Sequence, residues 1–142
     1  MNQVVSVIND SINPLPTYAK FGDSGVDLHA NEDVVVSVGT PTLIKTGLRV
    51  AIPVGYEIQI RSRSGWALKD GVFVLNSPGT VDSGYRNEIG VILFSTMKDI
   101  TIKKGDRIAQ AVLCPVMKIV WEEVLELPES DRGLNGFGSS GI

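Results

Sequence analysis

Hydrophobic and polar residues alternate clearly along one short stretch of the chain. In Tyr56–Arg61, every second residue is a tyrosine or an isoleucine, and the residues between them are Glu, Gln and Arg. A period of two is typical of a half-buried β-strand. Val72–Leu75 reads VFVL instead, and this continuous apolar run predicts a strand that is buried on both faces.

Other short apolar or β-branched runs, bounded by Gly, Pro, Asn and Asp, predict most of the remaining strands. They are Val34–Val38, Leu43–Ile52, Glu88–Phe94, Ile100–Ile102, Ile108–Val116 and Ile119–Leu127. Gly47 lies inside the second of these runs and indicates a β-bulge there. Only Ser64–Asp70 predicts a helix. Many short strands at close spacing favour an all-β fold, either a closed barrel or a sandwich, in one domain.

Composition and charge narrow the class of protein. The 142 residues are 43% hydrophobic and 20% charged, which suits a single globular domain. The net charge of -3 favours neither nucleic acid nor an anionic membrane, so direct binding to either is not expected. Cys114 is the only cysteine and no signal peptide or membrane-length apolar run is found, which together predict a cytoplasmic protein.

Five polar clusters interrupt the predicted strands. They are Gly22–Leu28, Arg61–Gly65, Asn76–Arg86, Gly105–Gln110 and Arg132–Gly141. Each has an ordinary interpretation when it is taken alone: a turn before a strand, a capped helix, a decorated loop or a frayed tail. The third cluster combines an amide, a carboxylate, a phenol and a guanidinium. We expect it to fold as a hairpin around Pro78-Gly79, whose backbone groups can read the edge of a base.

A functional interpretation of the clusters points to a phosphorylated ligand. Asp27 is a candidate carboxylate for a hydrated metal ion. Arg63 and a serine stand at the start of the predicted helix, where free N–H groups and a guanidinium suit a phosphate. Asp82 is a candidate general base. In the glycine-rich tail, Arg132 offers a bidentate fork to a phosphate and Phe137 can stack on a nucleobase.

In this order and at these intervals, the five clusters resemble the five motifs of the trimeric dUTP nucleotidohydrolases (dUTPases). The resemblance runs from Leu15 to Gly141 and includes Thr46–Tyr56 between the motifs. It implies a jelly-roll-like, distorted β-barrel with one short helix, assembled as a homotrimer whose active sites are shared between subunits. Residues 1–127 would form the barrel domain, including the late strand. Residues 128–142 would form a Gly/Ser-rich lid that closes over the nucleotide.

The resemblance also implies a reaction. The family hydrolyses dUTP to dUMP and pyrophosphate by attack of water on the α-phosphorus, which keeps uracil out of DNA and supplies dUMP for dTMP synthesis. Asp82 matches the carboxylate that orients and deprotonates the water. Asp27 matches the carboxylate near the waters of a Mg²⁺ ion, the expected cofactor. Tyr85 matches the ring that packs on deoxyribose and leaves no room for a 2′-hydroxyl.

The remaining substrate contacts carry over from the same resemblance. Asn76 and the adjoining backbone of the third cluster, at Gly79 and Val81, match the reader of uracil. The phosphate contacts of the second and fourth clusters match Arg63, Ser64, Gly65 and Gln110. In the lid, Phe137 matches the ring that covers the uracil. Arg132, Ser139 and Ser140 match the contacts to the γ-phosphate, and Gly138 between them is also a substrate-binding position.

Some positions depart from the commonest family pattern without removing a proposed catalytic group. They are Ser62, Trp66, Asn87, Leu134 and Asn135. We interpret Trp66 as a packing residue. Three alternatives stay open at this stage: a dCTP deaminase-like enzyme of the same fold, a nucleotide-gated regulatory protein that binds another protein, and a structural β-barrel with a frayed tail.

Overall fold

A computed structural model describes residues 2–141 of the chain. Met1 and Ile142, the last residue of the expected lid, lie outside the described residues. In chain order the elements are β1 (Ser6–Asn9), β2 (Val26–His29), β3 (Val34–Val36), β4 (Thr42–Ala51), β5 (Tyr56–Arg61), α1 (Ser64–Asp70), β6 (Val72–Val74), β7 (Gly79–Val81), β8 (Glu88–Ser95), β9 (Ile100–Ile102) and β10 (Arg107–Pro115). The fold is therefore mostly β with one short helix, as the sequence predicts.

The strands form three antiparallel sheets. One sheet has the order β1-β4-β8-β6, a second has the order β2-β10-β5-β7, and β3 pairs with β9. The buried faces of the two larger sheets share one hydrophobic core, with Ile44 and Val91 from the first and Leu28 and Ile60 from the second. Each larger sheet keeps two free edges within residues 2–141. Of the two alternatives from the sequence, the closed barrel is therefore wrong for the described chain and the sandwich is closer; the distorted barrel that the resemblance implies is likewise not closed within these residues.

Periodicity explains the elements that were predicted correctly. The β5 strand and the α1 helix have the bounds that the sequence predicts. In β8 every second residue is buried, because one side of the strand faces the core. Gly71 ends α1 in a left-handed conformation, and its N–H donates to the Ala67 carbonyl at 3.1 Å. Within residues 2–141, no helix is long and apolar enough to cross a membrane.

Two features at the ends of the chain differ from the sequence predictions. Ile119–Leu127 is not a strand but an exposed segment without regular secondary structure, in which Trp121 is 86% exposed. The backbone N–H and C=O groups of a strand need hydrogen-bond partners on a neighbouring strand. Within residues 2–141, no strand pairs with this segment. Conversely, β1 was not predicted, because its four residues are all exposed and carry no core pattern.

The predicted hairpin around Pro78-Gly79 is also wrong. The two strands that flank it belong to different sheets, since β6 pairs with β8 and β7 pairs with β5. The Leu75 N–H donates to the Ile92 carbonyl at 2.9 Å and so continues the pairing with β8. Gly79 then lies opposite Ile60. The third cluster is consequently a crossover between the sheets, and β5 holds its position.

The β-bulge predicted at Gly47 is confirmed. The register between β4 and β8 shifts between Lys45 and Arg49, and Gly47 has a φ of +72°. A Cβ atom on Gly47 would lie 2.6 Å from Cβ and 2.9 Å from N of Ser11. Only glycine fits this position, because both the backbone angle and the close approach exclude a side chain.

We expect Gly47→Ala to lower the free energy of unfolding by about 1–3 kcal/mol, because it adds a steric clash to backbone strain. The measurement is denaturant unfolding followed by circular dichroism. Gly39→Ala is the matched control, since Gly39 has a φ of +75° but no atom within 4 Å of the added Cβ. An equal loss of stability in both variants would contradict the steric part of the explanation.

Candidate active site

Strand pairing brings three of the five polar clusters together. Because β10 lies between β2 and β5, Gln110 stands opposite Asp27 on one side and Arg61 on the other. The Nε2 atom of Gln110 donates to the Ser62 carbonyl at 3.1 Å. The first, second and fourth clusters therefore meet at one end of the second sheet. We call Asp27, Arg63 and Gln110 the Asp27 cluster.

Two guanidinium groups face the Asp27 carboxylate. Arg63 Nε is 3.5 Å from Oδ1 and Arg107 Nε is 3.8 Å from Oδ2. The Nη1 atom of Arg63 also donates to the Arg107 carbonyl at 3.4 Å. All three side chains are at least one-third exposed, so solvent screens these ion pairs. The arrangement leaves guanidinium donors at the surface, where an anionic ligand can reach them.

Sequence reasoning did not select Arg107. Its position in the Gly105–Gln110 cluster and its charge were the only signals, and a surface arginine after a turn is common. Arg107 lies close to Asp27 because β10 pairs with β2, the strand that carries Asp27. In this pairing Arg107 stands opposite His29. Long-range strand pairing of this kind leaves no local trace in the sequence.

The second cluster places a backbone donor site beside Arg63. Ser64 and Gly65 open α1, and Arg63 precedes it in an extended conformation without a side-chain cap. The first N–H groups of a helix have no acceptor within the helix. Gly65 leaves open space where a Cβ would stand. These groups and the Arg63 side chain therefore present N–H donors on the same short segment.

Trp66 has two kinds of neighbour. It is partly buried and packs against the core, which confirms its interpretation as a packing residue. It also lines a cleft of about 400 Å³ together with Arg63, Gly105, Asp106 and Arg107. A second cleft, of about 260 Å³, is lined by Asp27 and Gln110 together with Asp23 and Gly25. Residues of the Asp27 cluster thus line two clefts.

The side chain of Gln110 is held by the backbone of Gly25. A Cβ atom on Gly25 would lie 2.8 Å from Oε1 of Gln110, 3.1 Å from Cγ2 of Val112 and 3.2 Å from the Ala111 carbonyl oxygen. The amide of Gln110 is therefore fixed between this glycine and the Ser62 carbonyl.

We expect Gly25→Ala to destabilise the fold by about 1–3 kcal/mol, because the added methyl group overpacks this contact. The penalty should be smaller in a Gln110→Ala background, where the nearest colliding atom is absent. The measurement is a double-mutant cycle by denaturant unfolding. Purely additive losses would show that Gly25 and Gln110 do not constrain each other.

The third cluster forms a separate part of the site. The Asn76 amide lies close to Gly79: a Cβ atom added to Gly79 would be 3.5 Å from Nδ2 of Asn76. Val81 is buried in the core and the next residue, Asp82, is exposed. The Tyr85 N–H donates to the Asp82 carbonyl at 3.1 Å, and the Tyr85 hydroxyl donates to the Glu88 carbonyl at 2.7 Å. This loop therefore presents a solvent-exposed carboxylate beside a fixed phenol ring.

The tail, which carries the remaining predicted site residues, stands apart from both clefts. The Arg132 guanidinium donates to the Asn135 carbonyl at 3.0 Å and to the Gly136 carbonyl at 3.3 Å. Phe137 is fully exposed, and Gly138, Ser139 and Ser140 are exposed as well. Within residues 2–141, the tail contributes no residue to the clefts beside Asp27 and makes hydrogen bonds only to itself.

A single described chain does not bring all the predicted site residues together. Arg63, Gln110 and Asp27 meet, with Ser64 and Gly65 adjacent in the chain. Asn76, Gly79, Asp82 and Tyr85 lie on the crossover loop. For residues 2–141, no ion pair or side-chain hydrogen bond connects Asp82 with the Asp27 cluster, and the tail touches neither part.

Metal-binding side chains are sparse in the part of the chain that the structure describes. It contains no group of three or more His, Cys, Asp or Glu side chains that could hold a metal ion. Asp27 is a single carboxylate with two guanidinium neighbours. The residues present therefore suit an ion that a ligand and water mostly coordinate, not an ion enclosed by protein carboxylates.

The fold and these clefts define an all-β protein whose surface suits an anionic ligand. The dUTPase family model matches residues 12–141. A deoxyuridine 5'-triphosphate nucleotidohydrolase from Clostridium tetani is 51% identical over 128 residues, which cover 89% of this chain and 88% of that protein. The enzyme of the same name from Picosynechococcus is 52% identical over 128 residues, covering 89% and 90%. The chain belongs to the dUTPase family.

Solved structures agree with this assignment. The dUTPase of Staphylococcus bacteriophage 80alpha with dUpNHpp superposes with a TM-score of 0.88 at 27% identity, covering 99% of this chain and 100% of that chain. A mutant dUTPase from phage phi11 of S. aureus, which coordinates a structural Mg(II) ion, has a TM-score of 0.79 at 24% identity, covering 87% and 98%. The second likeness concerns the fold alone.

Proposed function

We propose that this protein hydrolyses dUTP to dUMP and pyrophosphate. The observation that carries the proposal is the sequence identity of 51% and 52% to two deoxyuridine 5'-triphosphate nucleotidohydrolases, which covers nearly the whole of both chains. The reaction would keep uracil out of DNA and supply dUMP for dTMP synthesis. We place it in the cytoplasm, where the lone free thiol of Cys114 suits a reducing environment.

In this proposal, Asp82 is the general base. Its side chain is exposed at the end of β7, where a water molecule can reach it. An ionised carboxylate accepts a proton from the water as the water oxygen attacks the α-phosphorus. The new P–O bond forms on dUMP, the bond between the α-phosphorus and the bridging oxygen breaks, and pyrophosphate carries away the electron pair.

The other residues bind and orient the nucleotide. Arg63, Ser64, Gly65 and Gln110 would donate to the phosphates from the end of the second sheet. The Asn76 amide, with backbone groups at Gly79 and Val81, would read the edge of uracil. Support comes from the buried Val81 side chain, which leaves only the backbone of that residue to face a ligand. Tyr85 would pack on deoxyribose, and its bond to the Glu88 carbonyl fixes the ring.

Mg²⁺ is the proposed cofactor, and the donor chemistry at Asp27 fits it. Mg²⁺ dehydrates reluctantly and usually keeps several waters, so one carboxylate and a triphosphate are sufficient. Asp27 would accept hydrogen bonds from those waters. When bound, the ion would supply charge neutralisation for the phosphates. Arg63 and Arg107 hold the carboxylate in place before the nucleotide arrives.

We propose a homotrimer with active sites shared between subunits. Two observations support it: the parts of the site do not meet in one chain, and the segment 116–127 exposes a series of large apolar side chains. These are Met117, Ile119, Val120, Trp121, Val124, Leu125 and Leu127. Exposed apolar surface of this extent is typical of a protein interface. The segment would cross to a neighbour and bring residues 128–142 over that neighbour's site as a lid.

The direct test is turnover of four nucleotides by the purified protein with Mg²⁺, followed by pyrophosphate release. We expect rapid hydrolysis of dUTP and at least about 10²-fold lower kcat/KM for UTP, dTTP and dCTP, because each analogue adds or moves a group in a site of fixed shape. Equal hydrolysis of dUTP and UTP would refute the role of Tyr85. Release of ammonia from dCTP would favour a deaminase.

A regulatory role is the second candidate. The structurally similar 80alpha dUTPase is one of the phage dUTPases that control transfer of virulence genes by a proto-oncogenic G protein-like mechanism. For this chain, the corresponding hypothesis is a protein partner whose binding depends on nucleotide. The test is a pull-down with the wild-type protein in the presence and absence of dUpNHpp. A partner retained in only one of the two conditions would support the second role.

A further inference from the structure

The hydroxyl group of Ser62 connects the two larger sheets beside the Asp27 cluster. Ser62 follows the last residue of β5 in the second sheet, and its Oγ accepts from the Val74 N–H of β6 in the first sheet at 2.9 Å. Its carbonyl oxygen accepts from Nε2 of Gln110 at 3.1 Å. One residue therefore contacts the first sheet through its side chain and the Asp27 cluster through its backbone.

The Val74 N–H depends on this contact. Within residues 2–141, β6 is an edge strand that pairs with β8 alone. The Leu75 N–H donates to the Ile92 carbonyl of β8. Because alternate N–H groups of an antiparallel strand point to opposite sides, the Val74 N–H points away from β8. Val74 is only 1% exposed, so loss of the Ser62 hydroxyl would leave this donor without an acceptor where water has little access.

The chain between β5 and α1 has few fixed points. Only Ser62 and Arg63 lie between the two elements. Arg63 is extended and provides no side-chain cap for α1, and none of the seven residues of α1 is buried. Trp66 packs partly against the core. The direction in which the chain leaves β5 therefore depends mainly on the two hydrogen bonds of Ser62.

This segment carries the guanidinium group that we propose for the phosphates. Arg63 Nε lies 3.5 Å from Oδ1 of Asp27, and Nη1 lies 3.4 Å from the Arg107 carbonyl oxygen. Both distances exceed the usual range for an N–H···O hydrogen bond, and the side chain is 34% exposed. Contacts this long restrict a flexible side chain only weakly, so the place of the guanidinium is set mainly by the backbone that carries it.

We propose that Ser62 is a positioning residue for the phosphates of the substrate. Its hydroxyl anchors the backbone before Arg63 to β6, and its carbonyl holds the Gln110 amide. The two phosphate donors therefore keep a fixed separation before the ligand arrives, which lowers the entropy lost on binding. The inference rests on the proposed function, in which Arg63 and Gln110 bind the triphosphate. Ser62 acts through these two side chains.

The test compares Ser62→Ala, which removes the acceptor, with Ser62→Thr, which keeps a hydroxyl group on the same carbon. Inorganic tripolyphosphate with Mg²⁺ probes the phosphate contacts and deoxyuridine probes the uracil contacts, both by calorimetric titration. We expect Ser62→Ala to weaken tripolyphosphate binding by about 3- to 10-fold, the effect of one lost hydrogen bond. Deoxyuridine binding should not change, and Ser62→Thr should bind both probes as the wild type does.

Kinetics and a double-mutant cycle show whether Ser62 acts through the phosphate donors. In Ser62→Ala, KM for dUTP should rise by the same factor as the dissociation constant of tripolyphosphate. The kcat value should change little, because Asp82 lies on the crossover loop. In an Arg63→Gln background, Ser62→Ala should weaken tripolyphosphate binding clearly less than in the wild type. Fully additive losses would show that Ser62 does not act through Arg63.

Ser11→Ala is the matched control for a purely structural effect. The Ser11 Oγ also accepts a backbone N–H, from Asn13 at 3.1 Å, in a partly buried loop outside the proposed site. We expect Ser11→Ala and Ser62→Ala both to lower the midpoint of thermal unfolding, and only Ser62→Ala to weaken tripolyphosphate binding.

The outcomes separate this inference from the proposed function. Wild-type affinity of Ser62→Ala for tripolyphosphate would overturn the inference. An equal loss of affinity for deoxyuridine would also overturn it, because the effect would then lie on the crossover loop after Val74. A wild-type protein that binds tripolyphosphate through Ser62 but leaves dUTP intact would contradict the proposed function alone. Absence of tripolyphosphate binding by the wild type would contradict both.

Discussion

Replacing Asp82 with asparagine is expected to lower kcat for dUTP by at least about 10²–10⁴-fold, the contribution of a positioned general base. The amide has nearly the shape of the carboxylate but cannot accept the proton of the attacking water at neutral pH. Because Asp82 is exposed and its carbonyl, not its side chain, accepts from the Tyr85 N–H, the fold of the loop should not change. The measurement is pyrophosphate release under saturating dUTP and Mg²⁺.

Two further measurements separate chemistry from binding. The affinity of Asp82→Asn for dUpNHpp should stay within a few-fold of the wild-type value, since the base acts on water and not on the nucleotide. Asp99→Asn is the matched control: Asp99 is an exposed aspartate whose Oδ1 accepts from the Val38 N–H at 2.9 Å, a bond that an amide oxygen can keep. Near-normal turnover by Asp82→Asn would show that another group takes the proton.

Elements with strong local signals could be predicted from the sequence. The alternation of apolar and polar residues in Tyr56–Arg61 predicts β5 from local sequence alone. The short segment Ser64–Asp70, which ends at Gly71, likewise predicts α1. Gly47 could be interpreted as a bulge because glycine in a strand interior has few other uses. The strand predicted at Ile119–Leu127 has an equally clear apolar pattern. It fails because none of the strands within residues 2–141 pairs with it.

The site shows the same division between local and long-range information. Asp27, Arg63 and Gln110 were selected on their motifs, but their mutual contacts depend on the order β2-β10-β5 in the sheet. Strand order is set by the packing of whole faces, so the pairing of Arg107 with Asp27 could not be read from either segment. The predicted hairpin was wrong for a related reason: Gly79 pairs with Ile60 of β5, which precedes it in the chain, and not with the adjacent β6.

Removal of the tail from Arg132 onward is expected to lower kcat/KM for dUTP by about 10²-fold or more, because the proposed lid would exclude bulk water and fix the phosphates for attack. The stability of the sheets should not change. The hydrogen bonds of the tail are internal within residues 2–141, and its side chains are exposed. The measurements are steady-state kinetics and thermal unfolding of the truncated protein.

Single substitutions within the tail test what the lid recognises. Phe137→Ala should raise KM for dUTP by about 5- to 150-fold, since a ring that stacks on a base contributes about 1–3 kcal/mol. Leu134→Ala is the matched control, because Leu134 is a fully exposed apolar residue of the same tail without a proposed contact. Closure also requires the Arg132 guanidinium to exchange the Asn135 and Gly136 carbonyls for phosphate oxygens. If truncation left kcat/KM unchanged, the tail would be a frayed end and the nucleotide would be held by the two other parts of the site.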